Sequence, residues 1–374
     1  MTVTSSHPPT LTPYGYKRTP TDDLGELRRH DGRWIVAGEP LADPPGADEM
    51  TRLRGLRGLT VRWPYEDGRQ EVVGLLGRLA AAGIPLTADT VPPWMERADP
   101  VLADLLRSWP DDGDIGRSVA DLRREEHSVR LRRHVWWGRL PPGPSVSVVL
   151  TSRRPHYVAG ALQQIARQRY TDLEVVLALH GFPAAPVRDA VAAFPHAITV
   201  VEADAAAVFG DVLDQAVRRA TGELIVKWDD DDWYGPDHLA DLLLARGYSG
   251  ADVVGTAAEF FYLEPLGVTI RRTDYSSEVW SDHVAGGTIL LSRSTYEEAG
   301  GFQSLPRGVD SALLKTIHAA GGRIYRTHGL GYVLRRAESA EHTWKLPLAH
   351  FLRVATNQWR GFRPSRIMED GKHT

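Results

Sequence analysis

The arrangement of apolar and polar residues along the chain changes near residue 145. Beyond that point, apolar runs at 145–152, 173–181, 197–203 and 223–228 alternate with amphipathic segments at 157–170, 186–194 and 209–222. Short apolar runs predict buried strands, and the amphipathic segments predict helices. Strands that alternate with helices favour right-handed crossovers, so we expect a Rossmann-like α/β fold with a mostly parallel sheet flanked by helices.

The first 140 residues carry a weaker pattern. Strand-like segments fall between residues 33 and 63, and helices are predicted within 72–86, 100–109 and 118–137. The last of these is covered by charged residues, which indicates a solvated helix or a connector between domains. We therefore expect a smaller α/β or mostly helical domain of unknown role over 1–140. If the protein forms a homo-oligomer, this domain is the candidate to carry the interface.

A Pro/Gly-rich stretch at 138–145 predicts the linker to the main α/β domain, which we place at 145–345. The remaining segment, 346–374, is predicted to be a helical tail with a basic amphipathic pattern. Core packing is the favoured role for this tail, and peripheral contact with a membrane is the alternative.

Composition narrows the chemistry. The 374 residues include 44 basic and 48 acidic side chains and no cysteine, with a net charge of −4. Such a chain has no bulk attraction for nucleic acid, and it cannot form disulfides or thiolate metal sites, so any metal must be held by oxygen or imidazole. No run approaches the ~18 apolar residues of a membrane span, and no signal-peptide pattern opens the chain. A cytoplasmic protein is expected.

Four consecutive aspartates, Asp229 to Asp232, directly follow the apolar strand ELIVKW. An acidic run is usually a solvated loop. Here it lies at the carboxyl end of a predicted buried strand, where clustered carboxylates repel one another unless a cation is bound. With no thiolate in the chain, that cation would be a hard one, Mg²⁺ or Mn²⁺, which can bridge and neutralise a diphosphate.

The segments SVSVVLTSRRP, ATGELIVKWDDDDWYGPDHL and VAGGTILLSRSTYEEAGGFQSLPRGVDSALL resemble family 2 glycosyltransferases of GT-A fold, over about residues 145–345. The resemblance implies metal-dependent transfer of a sugar, with inversion, from a nucleoside diphosphate sugar to a hydroxyl or amine. The acceptor would be a glycan, a lipid-linked molecule or a small molecule.

The family's D-x-D element maps onto the aspartate run. Asp229 and Asp231 match its two aspartates, and Asp232 extends it. The resemblance implies that one carboxylate faces the ribose and another binds the metal, with Asp231 as the direct ligand. Asp230 fills the variable position and is expected to contact the nucleotide sugar. Asp232 is expected to contribute to the metal site.

Other nucleotide contacts are implied by the first two strands and the third helix. Thr151, Arg153 and Arg154 match a segment that lines the nucleoside pocket, and arginines there can also bind phosphate bidentately. His180 stands where the family usually has a base-reading aspartate, and this departure leaves the identity of the base open. UDP stays the favoured nucleotide, with dTDP and GDP as alternatives. Asp214 lies where the family often has a polar contact.

The acceptor side is implied by three later segments. Gly286 and Gly287 border the sugar and acceptor site in the family, although paired glycines also make ordinary turns. Asp310 matches the general base, and it also has the sequence position of a helix N-cap. His342 matches a histidine that reaches the metal or the diphosphate in some members, and a structural role is the alternative.

Two other functions stay open at this point. A non-catalytic module that binds nucleotide sugars or glycans would share the fold, but the intact D-x-D element and Asp310 argue against it. A sugar nucleotidyltransferase would need a Gly-rich basic loop after the first strand, and LTSRRPH has no glycine.

Overall fold

The computed structural model describes residues 12–20, 23–63, 69–109, 115–137, 143–337 and 346–368. The chain divides into two compact units, Met1–Pro141 and Pro142–Thr374. In the described ranges, the helices are all too short or too polar to cross a bilayer.

The first unit is a small α/β domain, which confirms the first of the two predicted possibilities, α/β or mostly helical. A five-stranded sheet has the order β3-β2-β1-β4-β5, with β1, β4 and β5 parallel and β2 and β3 added as antiparallel strands. Its elements are β1 (Gly25–His30), β2 (Arg33–Val36), β3 (Glu39–Leu41), α1 (Ala47–Leu53), β4 (Leu59–Val61), α2 (Arg69–Ala81), β5 (Leu86–Thr87), α3 (Pro93–Ala98), α4 (Pro100–Arg107) and α5 (Arg117–Trp137).

Helix α5 corrects the sequence prediction of a solvated helix, because most of its charged side chains are buried. The guanidinium of Arg124 donates to the backbone oxygens of Lys17 (2.8 Å) and Arg57 and to the Tyr16 hydroxyl (2.9 Å). Asp121 accepts a hydrogen bond from Arg57 at 2.9 Å. Buried charges are tolerated when they are paired in this way, and a pattern of apolar positions cannot reveal it.

The second unit contains an eight-stranded sheet with the order β14-β16-β11-β15-β9-β6-β7-β8 and a second sheet with the order β10-β17-β12-β13-β18. The elements up to the aspartate run are β6 (Val146–Ser152), α6 (Pro155–Ala166), β7 (Leu173–His180), α7 (Arg188–Ala192), β8 (Ala197–Ala203), α8 (Phe209–Arg219) and β9 (Leu224–Asp229). The later elements are β10 (Trp233–Tyr234), α9 (His238–Ser249), β11 (Val253–Thr256), β12 (Phe260–Leu263), β13 (Val268–Arg271), β14 (Val279–Trp280), β15 (Leu290–Ser292), α10 (Arg293–Glu298), α11 (Val309–Ala319), β16 (Ile324–Thr327), β17 (Tyr332–Arg336), α12 (Leu348–Val354) and β18 (Asn357–Arg360).

The predicted α/β fold is confirmed by the block β9-β6-β7-β8, in which neighbouring strands pair in parallel. These strands are the four apolar runs of the sequence. Strands β6, β7 and β9 are buried on both faces, which explains their nearly uninterrupted apolar pattern. Most residues of β8, at the edge of the sheet, are partly or fully exposed. The register places Thr151 opposite Asp229, so the ends of β6 and β9 lie side by side at one edge of the sheet.

The C-terminal segment differs from the predicted helical tail. Within the described residues 346–368, α12 is a short α-helix, a single 3-10 turn covers Arg366–Met368, and β18 pairs with β13 as the edge strand of the second sheet. Phe351 is fully buried against Phe261, Leu263 and Ile270. This burial agrees with core packing, the favoured role of the segment.

Candidate active site

The aspartate run begins on the last residue of β9 and continues into the turn that leads to β10. Two side-chain amides, of Gln164 on α6 and of Gln168 just beyond its end, hold this turn. Gln164 donates to the backbone oxygen of Asp232 (3.0 Å) and accepts from the Tyr234 amide (2.7 Å), and Gln168 donates to the Gly235 oxygen (2.8 Å). These bonds satisfy backbone groups of the turn that are not paired within the sheet or a helix. They therefore hold the backbone that carries the aspartates in one conformation.

The first aspartate is joined to the predicted base by a lysine. The Lys227 ammonium lies 2.5 Å from Asp229 Oδ1 and 3.4 Å from Asp310 Oδ2. Burial alone would lower the pKa of Lys227, but the charges of Asp229 and Asp310 raise it above its ordinary value, so the ammonium stays charged. Burial and repulsion from Asp229 raise the pKa of Asp310, against the opposing charge of Lys227.

Asp310 does not have the alternative role of helix N-cap. The N-cap of α11 is Gly308, and Asp310 lies within the first helical turn. Its Oδ1 atom is buried and has no hydrogen-bond partner among the described residues. A buried carboxylate oxygen without a hydrogen-bond donor can accept a proton, which a general base has to do.

The paired glycines lie against the two carboxylates. A Cβ built on Gly286 would approach the carboxylate of Asp310, 2.9 Å from Cγ and closer to Oδ2. A Cβ on Gly287 would lie 2.7 Å from Asp229 Oδ2 and 2.8 Å from the Tyr234 hydroxyl. The glycines are therefore more than a turn, because each leaves the space that one carboxylate occupies.

Arg154 binds the two middle aspartates. Its guanidinium pairs with Asp230 and donates to Asp231 Oδ2 at 2.9 Å. The Asp230 side chain is 4% exposed and also accepts from Ser152 Oγ at 2.5 Å, and burial raises its pKa despite Arg154. Asp231 is more open, at 16% exposed, and its Oδ1 takes no hydrogen bond among the described residues.

The fourth aspartate is committed to the protein interior. Asp232 accepts from the Tyr332 hydroxyl at one oxygen and from the Arg335 backbone amide at the other (2.8 Å), both on β17. Burial, with the nearby charges of Asp231 and Asp229, raises the pKa of Asp232 well above its ordinary value. The predicted metal role of Asp232 stays a prediction, and both of its oxygens are already engaged.

The predicted nucleoside contacts lie at the ends of β6 and β7. His180 is buried, with Nδ1 accepting from Arg153 Nε (3.0 Å) and Nε2 placed to donate to the Ala207 oxygen (3.0 Å). Burial and the charge of Arg153 lower the pKa of His180, so the ring is neutral. Arg153 itself is exposed, and the buried Thr151 Oγ1 has no partner among the described residues.

Two predicted residues are not brought to this cluster. Asp214 lies on α8, where it accepts from the Tyr296 hydroxyl (2.9 Å) and from Arg218 (2.7 Å). His342 lies outside the described residues.

Sequence reasoning missed Lys227, Tyr234, Tyr332 and the two glutamines, Gln164 and Gln168. Only Lys227 left a signal, since it is a lone lysine in an otherwise apolar strand that is buried on both faces. The others act from segments that are distant along the chain, so no local pattern marks them.

The resemblance implies a metal ion, which needs several oxygen or imidazole ligands close together. Among the described ranges, no group of three or more Asp, Glu or His side chains is arranged to hold an ion. Mg²⁺ and similar cations often take only one or two carboxylates from the protein and the rest of their ligands from phosphate and water. Asp231, with an open oxygen in an all-oxygen cluster, fits that mode.

The fold and the site together define an α/β domain that collects carboxylates, arginines and paired glycines at the carboxyl edge of its sheet, the usual ligand-binding edge of such sheets. Residues 146–299 match the family model described as glycosyl transferase family 2. The matched residues lie within the second unit and include the aspartate run and the paired glycines.

Solved structures similar to this chain include the mannosyltransferase PcManGT from Pyrobaculum calidifontis in complex with GDP-Man and Mn²⁺. It is 23% identical, with a TM-score of 0.47, over 59% of this chain and 68% of its own. S. aureus TarS 1-349 in complex with UDP-GlcNAc is 16% identical, with a TM-score of 0.44, over 56% of this chain and 64% of its own. A comparison with curated proteins gave no significant match. At these identities and TM-scores the neighbours do not define the donor or acceptor of this chain.

Proposed function

We propose that the second unit is a metal-dependent, inverting glycosyltransferase that moves a sugar from a nucleoside diphosphate sugar to an acceptor hydroxyl or amine. The observation that carries the proposal is the juxtaposition of Asp229 and Asp310 around Lys227, in the space left by Gly286 and Gly287. It places the first D-x-D carboxylate and a carboxylate with an unpartnered oxygen in one small site.

Asp310 is the proposed general base. In a single displacement, the acceptor oxygen bonds to the anomeric carbon while the bond from that carbon to the diphosphate breaks, and the acceptor proton passes to the base. The raised pKa of Asp310, caused by burial and Asp229, makes the carboxylate a stronger base than a solvated one, while Lys227 opposes its protonation.

Asp231 is the proposed metal ligand. When bound, Mn²⁺ or Mg²⁺ would neutralise the negative charge of the leaving diphosphate. The chain's own contribution is the open Oδ1 of Asp231, next to Arg154. Asp229, which is 35% exposed, is left for the ribose, and Asp232 holds the turn in place through Tyr332.

Two arginines form a cationic border beside the aspartates. The guanidinium carbons of Arg154 and Arg335 lie 4.8 and 4.9 Å from the ring centroid of Tyr157. Cations stacked on an aromatic ring are held in place without losing their charge. We infer that this pair faces the diphosphate and attracts it by its positive charge. Arg154 keeps its ion pairs with Asp230 and Asp231, and Arg335 keeps its ion pair with Glu264.

The nucleotide is proposed to lie over the ends of β6 and β7, with UDP favoured and dTDP and GDP as alternatives. Arg153, exposed and backed by His180, is the accessible side chain there. An arginine can donate to base carbonyls of each of these nucleotides, so it does not select one by itself.

The test is incubation of the full chain with UDP-, dTDP- and GDP-sugars and Mn²⁺, with release of nucleoside diphosphate as the readout. Slow hydrolysis of one donor is expected even without the acceptor. Tight binding of a donor with no turnover of any, in the presence of candidate acceptors, would favour the non-catalytic binding module.

Variants separate the two assigned roles. Asp231→Ala is expected to abolish turnover and to weaken Mn²⁺-dependent binding of the nucleoside diphosphate, measured by calorimetry. Asp310→Asn is expected to abolish turnover and leave that binding intact, while Asp189→Asn, an exposed aspartate on α7, serves as the matched control. Full activity of Asp310→Asn would exclude Asp310 as the base.

A further inference from the structure

Lys227 is a buried cation in a strand that otherwise consists of apolar residues up to Asp229. Its side chain is 5% exposed, and its backbone amide donates to the Ile289 oxygen at 2.9 Å, which fixes the strand beside the segment that carries the paired glycines. Among the described residues, the carboxylates of Asp229 and Asp310 are its hydrogen-bond and ion-pair partners.

Packing alone does not account for this lysine. An ammonium taken out of water destabilises a fold unless its partners compensate, and an apolar residue of similar volume usually serves a buried strand as well or better. The two partners of Lys227 are the carboxylates to which the proposed function gives the ribose and the acceptor proton. The charge is therefore placed where it can act on the reaction.

The position of Asp310 depends on Lys227. Oδ2 pairs with the ammonium at 3.4 Å, while Oδ1 is buried and unpartnered among the described residues. No side-chain or backbone donor other than Lys227 is recorded for this carboxylate in the described ranges. Gly286 leaves it room without orienting it.

We propose that Lys227 is the positioning residue of the general base: its ammonium occupies Oδ2 of Asp310, keeps the carboxylate charged and leaves Oδ1 to take the acceptor proton. This inference rests on the proposed function. In the displacement described above, the proton that leaves the acceptor oxygen forms its new bond to Oδ1, and the electron pair of the broken sugar–phosphate bond stays on the diphosphate. Lys227 exchanges no proton in this step.

The main test compares Lys227→Met, which removes the charge at similar volume, with Lys315→Met, an exposed lysine on the same helix as Asp310. Asp310 is faced by Lys227 and Asp229 from β9 and by His283 from the segment before the glycines. Loss of the one close cation raises the pKa of Asp310, so the acid limb of the kcat/KM–pH profile should move upward by ~1–3 pH units. Lys315→Met should leave the limb unmoved.

Further variants separate positioning from a structural role. Lys227→Arg keeps the charge, so it should keep the acid limb in place while lowering kcat through its different shape. In an Asp310→Asn background and at saturating donor, Lys227→Met should change the residual kcat little, because its effect on the base passes through the Asp310 carboxylate. Its contact with Asp229 acts on donor binding instead. Binding of the nucleoside diphosphate, measured on each variant, shows that the site is folded.

An unmoved acid limb in Lys227→Met overturns the inference, as does an Arg variant that shifts the limb as much as the Met variant. If Lys227→Met does not fold, Lys227→Gln, which also removes the charge, supplies the same comparison of acid limbs. Full activity of Asp310→Asn alone would instead refute the proposed base, and so the function on which the inference rests.

Discussion

Replacement of Gly286 by alanine perturbs the base without changing its chemistry. Neither Gly286 nor Gly287 has a positive φ, so alanine can adopt the backbone at both positions. The new Cβ at 286 would lie 2.9 Å from Asp310 Cγ, whereas ordinary contacts begin at 3.4 Å. The carboxylate must therefore move by at least about 0.5 Å, the tolerance within which a catalytic group has to be held.

The expected result is a kcat lowered by about 100-fold, since misplacement on this scale costs that much in well-oriented reactions. Binding of the donor nucleotide should change by less than about threefold, because the three atoms nearest to this Cβ belong to Asp310. Single-turnover release of nucleoside diphosphate measures the first quantity, and calorimetric titration measures the second.

The neighbouring glycine supplies the contrast. A Cβ at 287 would press on Asp229 Oδ2 and the Tyr234 hydroxyl, so Gly287→Ala should weaken donor binding by about tenfold or more, ~1.4 kcal/mol. Gly160→Ala, on α6 with open space around its Cβ, is the control. A Gly286→Ala enzyme with unchanged kcat, or two glycine variants with the same kinetic signature, would refute the assignment of Asp310 and Asp229 to separate roles.

Two further predictions concern stability. Tyr332→Phe removes the hydroxyl that donates to the buried carboxylate of Asp232, so the free energy of unfolding should fall by about 1–3 kcal/mol in thermal melts, while Tyr14→Phe at an exposed tyrosine should have no effect. Burial lowers the pKa of His127 to about 4, although its Nε2 bonds the Leu86 oxygen at 2.7 Å. Because the folded-state pKa lies below the unfolded value, this contribution is present above pH ~6.5 and is lost as pH falls toward 4, by about 2 kcal/mol between pH 7 and pH 5. Urea unfolding at the two pH values should show that His127→Gln loses less stability than the wild type, and equal losses would contradict the assignment.

The main α/β sheet could be predicted because its central strands are buried on both faces and therefore appear as apolar runs. The same pattern located the aspartate run at a strand end, where parallel sheets bind ligands. The positions of Asp229 and Asp310 in one site then follow from the family resemblance rather than from any local periodicity.

Other features depend on pairing between distant segments, which a one-dimensional pattern does not contain. The charged helix α5 is buried because Arg124 finds backbone oxygens and a tyrosine in the N-terminal segment, although its sequence has the composition of a solvated helix. In the same way, the C-terminal strand β18 forms because β13 offers it an edge, and the basic amphipathic sequence around it favours a helix just as well.

The four consecutive aspartates show how such pairing divides one motif into several functions. Identical in sequence, they have different partners: Lys227 for Asp229, Arg154 for Asp230 and Asp231, and Tyr332 for Asp232. The charges of Lys227 and Arg154 therefore neutralise part of the negative charge of the cluster, and Asp232 is buried with its oxygens hydrogen-bonded. Among the four, the more exposed carboxylates of Asp229 and Asp231 remain accessible to a ligand. Lys227 and Arg154 supply two positive charges against the four aspartates, and a bound divalent cation would supply the other two. Removal of Lys227 or Arg154 should therefore alter the reaction as specifically as removal of an aspartate.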